Sequence, residues 1–350
     1  VTHKLAFVGF GVVGSGLAEI LLDKQDMLAN QVGLDAEIVA ISDLNLGSIY
    51  HPEGLNLQTL LDVVNEDNSL ENYPEHPGLI RGWDSLQTIR ETNADTIVEV
   101  TPTDVETGQP AIDHCREAFK NKKNLITTNK GPVALQYKEL SSLAEENGVG
   151  WGFEGTVMSG TPTLRMPAVS LSGNNIREIR GILNGTTNFI LSKMEEDMTY
   201  DDALAQAQDH GYAEADPTSD VEGHDILYKV VILANVVMDV PLVKDEVECQ
   251  GMTDLTAEDI EEAKSEGKRW KLLARITQQD GKVQASVKPE KLSLDESLAS
   301  VMGAANAITY ECDLSGPVTV TGAGAGRIET GFSLLTDLIN INQTRIYEMR

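Results

Sequence analysis

The 350 residues are 41% hydrophobic and 23% charged, the proportions of a folded globular chain long enough for two domains. Asp plus Glu number 55 against 27 Lys plus Arg, a formal charge of −28, so the chain repels phosphate backbones and anionic headgroups, and neither nucleic acid nor a membrane is an expected partner. Cys115, Cys249 and Cys312 are too far apart for a CxxC pair or a disulfide framework, and a reducing cytoplasm is the expected setting.

The opening run, Val1 to Gly9, enters a glycine-rich turn at once and has no signal-peptide cleavage pattern. No apolar run reaches the roughly 18 residues of a membrane span. Leu5 to Gly9 reads as a short buried strand. Gly9-Phe10-Gly11-Val12-Val13-Gly14 follows it, and Leu17 to Leu22 continues as a helix. This is G-x-G-x-x-G in its required setting of strand, tight turn and helix. Gly9 permits the turn, Gly11 admits a pyrophosphate to the backbone, and Gly14 lets helix pack on strand. Phosphates are expected at the helix N-terminus, where free N–H groups and the dipole attract anions.

A second strand, Glu37 to Asp43, ends in an acid that suits ribose hydroxyls and disfavours the extra phosphate of NADP. A plain loop-capping role for Asp43 stays open. Residues 44 to 80 read as a loop-rich excursion with one helix near Asn56 to Glu66. A short helix is expected at Asp84 to Arg90 and a strand at Thr96 to Val100. Thr101 follows that strand, at the sheet edge where such folds bind ligands. A helix over Pro110 to Asn121 leads to a strand at Asn124 to Thr128, then Asn129-Lys130-Gly131-Pro132, with Pro132 starting the next helix. Lys130 stands at a helix start, where the dipole disfavours a cation unless a ligand or acid is near. The alternation implies a doubly wound, Rossmann-type dinucleotide-binding domain over residues 1–150.

An α+β domain is expected over 151–320. Gly155 to Thr163 is rich in Gly, Ser and Thr, and Pro162 suits a helix start. The segment reads equally as an interdomain crossover or as carbonyls that fold around a small cation with Glu154. Ile176 to Ile182 alternates like a strand and runs into Asn184-Gly185-Thr186-Thr187-Asn188. Thr199 opens a capped helix to Asp209. Gly211 to Lys229 is the most informative stretch: Glu214, Asp216, Asp220, Asp225 and Lys229 crowd it, and Asp225 and Lys229 share a helical face at i, i+4. Carboxylates beside one ammonium suit a small amine-bearing substrate that exchanges a proton. A solvated acidic loop is the bland alternative.

Later strands are expected at Trp270 to Thr277, Lys282 to Val287, Ala307 to Glu311 and Pro317 to Val320, with helices near Ala257 to Glu266 and Leu298 to Met302. The glycine cluster at Gly322, Gly324 and Gly326 precedes a helix, and residues 321–350 are expected to return to the nucleotide domain. The six histidines show no zinc spacing. There is no Walker A motif, no G-x-S-x-G elbow, and no cysteine set up for thiohemiacetal chemistry.

Together these motifs resemble homoserine dehydrogenase over nearly the whole chain. They are Gly9 to Gly16, Asn129 to Pro132, Gly155 to Pro162, Gly181 to Leu191, Gly211 to Pro217 with Asp220, Gly223 and Asp225 to Lys229, and Gly322 to Thr330. The resemblance implies NAD- or NADP-dependent interconversion of L-homoserine and L-aspartate 4-semialdehyde, toward threonine and methionine, by a homodimer. It makes Lys229 the leading acid–base residue and Lys130 the second. Substrate is expected at Glu214, Asp220, Asp225, Tyr212, Asn184 and Thr186. Cofactor is expected at Gly9, Phe10, Gly11, Val12, Val13, Gly14, Asp43, Thr101, Lys130 and Gly326. The resemblance also implies a monovalent cation, usually sodium, on Glu154 and the carbonyls of Val157, Ser159 and Thr161. Two departures stand out: the long acidic excursion after Asp43, and Gly131 where the family commonly has alanine. No appended regulatory domain is expected. A related oxidoreductase with another substrate, or a nucleotide sensor without turnover, are the competing readings.

Overall fold

The computed structural model describes residues 2–279 and 281–348. The chain forms two compact units, one of residues 1–160 with 326–350, the other of residues 161–325.

The first unit is built on a seven-stranded sheet. Its elements in chain order are β1 (His3–Val8), α1 (Val12–Asp23), β2 (Ala36–Asp43), β3 (Gly47–Tyr50), α2 (Leu57–Asp67), β4 (Ile80–Arg81), α3 (Ser85–Glu91), β5 (Thr96–Glu99), α4 (Ala111–Lys120), β6 (Asn124–Thr127), α5 (Lys130–Asn147) and β7 (Trp151–Gly152). The strand order is β4-β3-β2-β1-β5-β6-β7. β2, β1, β5, β6 and β7 run parallel, while β3 and β4 add antiparallel at one edge. Leu5, Phe7, Val39, Ile41, Ile97, Val98, Leu125 and Ile126 are fully buried, as expected of parallel strands covered on both faces. Order reverses about β1, so the loops after β1 and β5 meet at the topological switch point. They meet closely: a Cβ on Gly9 would lie 2.7 Å from the Val100 carbonyl oxygen, and Gly9 has φ +87°. Helix starts follow their caps. The Asn56 side chain accepts from the Thr59 N–H, and the Asp84 side chain from that of Gln87.

Several expectations change here. The excursion after Asp43 contains two short strands besides its helix. β3 and β4, of four and two residues, are too short to show alternation. α5 begins at Lys130, so Pro132 lies inside its first turn, where a missing N–H costs nothing. The strand at Trp151 pairs with β6, which puts this stretch in the first sheet rather than the second domain. Gly155–Met158 is a helical turn rather than an open loop.

The second unit holds β8 (Ile176–Ile182), α6 (Gly185–Glu195), α7 (Tyr200–Asp209), α8 (His224–Val236), β9 (Glu248–Cys249), α9 (Ala257–Ser265), β10 (Lys268–Gln279), β11 (Lys282–Ser293), β12 (Ala305–Cys312) and β13 (Gly316–Ala323). The sheet order is β13-β12-β8-β10-β11-β9. β10 and β11 form a long hairpin, paired from Lys268↔Ser293 to Gln279↔Lys282. α6 and α8 pack on the sheet and bury Phe189, Ile190, Leu191, Ile226, Val230 and Leu233. Pro162 does not open a helix. The short helix that follows is Arg165–Ser170, with Pro167 inside it. Ser297–Ser300 is a single 3-10 turn, where a helix over Leu298 to Met302 was expected.

The final helix, α10 (Arg327–Glu348), returns to the first unit and packs on α1. The approach is tight, since a Cβ on Gly16 would lie 2.5 Å from the Arg327 carbonyl oxygen. Gly16 therefore belongs to helix packing as well as to the glycine motif.

Candidate active site

In the first unit the turn after β1 is shaped for a dinucleotide. A Cβ on Gly14 would meet the Gly9 carbonyl at 3.2 Å and Phe7 at 3.4 Å, so this glycine brings helix onto strand. Gly11 faces open space, with nothing within 4 Å of its would-be Cβ. No side chain caps α1, and no acid lies in its first turn. Its leading N–H groups can therefore receive an anion, which fits a pyrophosphate. Val12 is 66% exposed beside this opening, and Val13 is partly buried. Phe10 is different. Its ring is buried and packs edge-on against Phe7 at 5.4 Å, so only its backbone can face a cofactor.

Asp43 ends β2 beside this turn. Its Oδ2 accepts from the Phe10 N–H at 2.8 Å, and its Oδ1 accepts from the Asn45 and Leu46 N–H groups at 2.8 and 3.0 Å. The acid both braces the glycine turn and holds the bend after β2, so the loop-capping role is filled by a carboxylate that stays beside the glycine turn. At the other strand ends, Thr101 donates to Glu99, and Lys130 is the first residue of α5. Gly326 has φ +137° and precedes α10. Sequence reading missed Glu99 and His114 here. The signal was an acid at the end of an apolar strand, too common a pattern to stand out.

The second unit assembles the acid–amine cluster. Gly223, with φ +80°, precedes α8 and turns the chain so that Asp225 falls in the first turn, where the dipole favours an anion. One turn later, Lys229 is buried. Its Nζ donates to Asp225 Oδ2 and to the Leu183 carbonyl, each at 2.7 Å. Asn184 joins the cluster from the start of α6. Its Nδ2 donates to Asp220 Oδ1 at 2.7 Å and Asp225 Oδ2 at 3.1 Å, while its Oδ1 accepts from the Thr187 N–H at 3.0 Å and caps the helix. Burial raises the Asp220 carboxyl; the Asn184 bond lowers it, Asp225 raises it and Lys229 lowers it. Thr186 donates to the Tyr212 carbonyl at 2.5 Å, tying the same loop to the Gly211 turn.

Lys229, Asp225, Asp220, Asn184 and Thr186 thus form one connected group. Tyr212 joins through its backbone, while its half-exposed ring stacks on His210 at 5.7 Å. The Glu214 side chain is exposed, and the Gln208 amide holds its carbonyl at 3.0 Å. Asp216 is exposed and bonds to Thr218, which holds its carboxyl below the ordinary range. Neither joins the cluster.

Of the residues expected around a cation, Glu154 is 4% exposed, Val157 is buried within the Gly155–Met158 turn, and Ser159 takes φ +52°, a left-handed conformation unusual for serine. Thr161 opens the second unit, and its hydroxyl donates to the Ala323 carbonyl at 3.0 Å. Among the described residues, no group of three His, Cys, Asp or Glu side chains could hold a metal. No helix there is long and apolar enough to cross a membrane.

Family comparison decides between the competing readings. The model of the homoserine dehydrogenase NAD-binding domain matches residues 9–154, and the homoserine dehydrogenase model matches residues 162–339. The chain belongs to the homoserine dehydrogenase family. It is an oxidoreductase with an N-terminal NAD-binding domain. It is 43% identical to the NAD(+)-dependent homoserine dehydrogenase of Pseudomonas canavaninivorans, over 98% of this chain and 97% of the relative. It is 41% identical to the homoserine dehydrogenase of Methanocaldococcus jannaschii, over 97% and 99% of the two. A hyperthermophilic archaeal homoserine dehydrogenase mutant solved with NADPH superposes with a TM-score of 0.83, at 31% identity and 98% coverage of both chains. The enzyme spans 72% of the Bacillus subtilis relative.

Proposed function

We propose that this enzyme interconverts L-homoserine and L-aspartate 4-semialdehyde, with Lys229 as the acid–base residue. The observation that carries the assignment is the buried Lys229 amine, fixed between the Asp225 carboxylate and the Leu183 carbonyl at 2.7 Å from each. A bound nicotinamide cofactor supplies the hydride acceptor or donor. The chain's own residues do the rest. In the reducing direction the Lys229 ammonium polarises the aldehyde oxygen and protonates it as it becomes an alkoxide; in the oxidising direction the neutral amine takes the hydroxyl proton. Lys130 is the second lysine of the reaction. Asp220 and Asp225 receive the substrate's amino group, with Asn184 setting the spacing of the two acids. Glu214 and Tyr212, on the exposed side of the Gly211 turn, and Thr186 complete the substrate set.

The Gly9–Gly14 turn holds the pyrophosphate, with Thr101 and Gly326 as further cofactor contacts. NAD is the preferred cofactor. The reason is the Asp43 carboxylate at the end of β2, followed by Leu44, Asn45 and Leu46 with no cation among them to meet a 2′-phosphate. Buried Glu154 and the left-handed Ser159, with the carbonyls of Val157 and Thr161, suit a hard monovalent cation such as sodium. A homodimer, a cytoplasmic setting, and a place in threonine and methionine synthesis belong to the same proposal and rest on the family likeness.

The test is absorbance at 340 nm with L-homoserine and NAD or NADP, with and without sodium. Homoserine-dependent reduction, faster with NAD, is the expected result. Cofactor binding without reduction of either nucleotide overturns the reaction.

A further inference from the structure

The strand ends of the first unit converge on one carboxylate. Glu99 is fully buried at the end of β5. Its Oε1 accepts from the Thr101 hydroxyl at 2.5 Å and the Thr101 N–H at 3.3 Å, and lies 3.2 Å from His114 Nδ1. Its Oε2 accepts from the Thr127 hydroxyl at 3.1 Å and Asn129 Nδ2 at 2.6 Å. The far side of the His114 ring, Nε2, lies 2.9 Å from the Ser85 hydroxyl. With the proton on Nδ1, both carboxylate oxygens are saturated by donors. A buried carboxylate tolerates its site only when its lone pairs are satisfied in this way.

The use of Asn129 is the telling detail. It is the N-cap residue of α5, and an asparagine there ordinarily turns its side chain onto the helix's own N–H groups. Here it does not cap. Its amide instead spans to Glu99 and to the Thr101 carbonyl at 2.9 Å, while its own N–H is taken by the Thr127 hydroxyl at 3.0 Å. The next residue is Lys130, a cation at a helix start, which the dipole disfavours. A buried negative group bonded to the adjacent residue offsets that cost, and it fixes the backbone from which Lys130 projects.

We propose that Glu99 is a positioning residue for the dehydrogenase reaction: through Asn129 and Thr101 it sets the geometry of Lys130 and of the strand ends on the nicotinamide side. This rests on the role given above to Lys130. Neither the glycine turn nor Asp43 bonds to Glu99, so the adenosine end of the cofactor should not sense its loss.

Glu99→Gln tests this, because the amide keeps the shape but turns an N–H₂ toward donors. The expected result is a fall in kcat of at least tenfold, with the KM for homoserine and the Kd for ADP-ribose within twofold of the parent. Adding Glu99→Gln to Lys130→Ala should lower kcat by less than threefold further. A Glu99→Gln enzyme with parental kcat, or losses that multiply fully in the double variant, overturns the positioning role. Lys130→Ala at the parental rate overturns instead the Lys130 role on which it rests. Should Glu99→Gln fail to fold, Asn129→Ser cuts the same link at a half-buried position, and the same outcomes apply to it.

Discussion

Asn184 does two separable jobs, and Asn184→Asp divides them. Aspartate is as good an N-cap as asparagine, so α6 keeps its start. The donor that reaches Asp220 at 2.7 Å and Asp225 at 3.1 Å becomes a third carboxylate. Two charges about 3 Å apart repel by about 5 kcal/mol at an effective dielectric near 20. Protonating an aspartate costs about 5 kcal/mol at pH 8 but only about 1.5 kcal/mol at pH 5. The cluster relieves itself by taking up a proton, so the penalty follows the smaller cost at each pH. Burial already pushes Asp220 upward, and the Asn184 bond is the largest of the contacts that oppose it. The sign is therefore definite. One carboxyl has its folded-state value raised above the unfolded one, and stability falls as pH rises beyond the ordinary aspartate range. For a unit of this size, thermal unfolding followed by circular dichroism should drop by at least about 10 °C at pH 8 and less than about 5 °C at pH 5. A parental midpoint at pH 8, or equal losses at both pH values, would refute the geometry of the cluster.

Three further outcomes follow from other parts of the molecule. Asp43→Asn removes the charge at the end of β2 and should raise the ratio of kcat/KM for NADP over NAD by at least tenfold; an unchanged ratio would place the cofactor's ribose elsewhere. Burial pushes the Lys271 and Lys123 amines down to about 8, against 10.5 for an ordinary lysine. Their burial cost is full below about pH 8 and relaxes as pH rises, so each adds about 2 kcal/mol of stability between pH 8 and 10. Lys271→Met should remove one share of that rise in urea unfolding, and an identical slope would contradict it. Gly16→Ala sets a methyl 2.5 Å from the Arg327 carbonyl, so α10 must separate from α1. Faster proteolysis of the C-terminal helix is expected, and parental resistance would argue against the close approach.

What the sequence disclosed was mostly local. Gly9, Gly11 and Gly14 sit on one turn between one strand and one helix, and Asp225 and Lys229 are a single helical turn apart, so spacing alone places them. Contacts between distant segments were harder. Asn184 meets Asp220 and Asp225 only because the start of α6 is folded against that of α8. The Glu99–Asn129 bond joins the ends of neighbouring parallel strands across 30 residues, and no periodicity reports such a pairing. β3 and β4 escaped notice for a different reason, since strands of four and two residues carry too few side chains to show a pattern. Glu214 and Asp216 show another limit: spacing alone did not say that Asp220 and Asp225 would be drawn into the Lys229 cluster while these two acids stay exposed.

The central claim is that Lys229 moves the proton. Its most direct test is the homoserine-dependent rate at 340 nm for Lys229→Ala, with NAD affinity measured on the same protein. The account predicts a loss in kcat of about 10²- to 10⁴-fold, the range of a missing acid–base group, with NAD binding retained. A Lys229→Ala enzyme that turns over homoserine within a few-fold of the parent would contradict it.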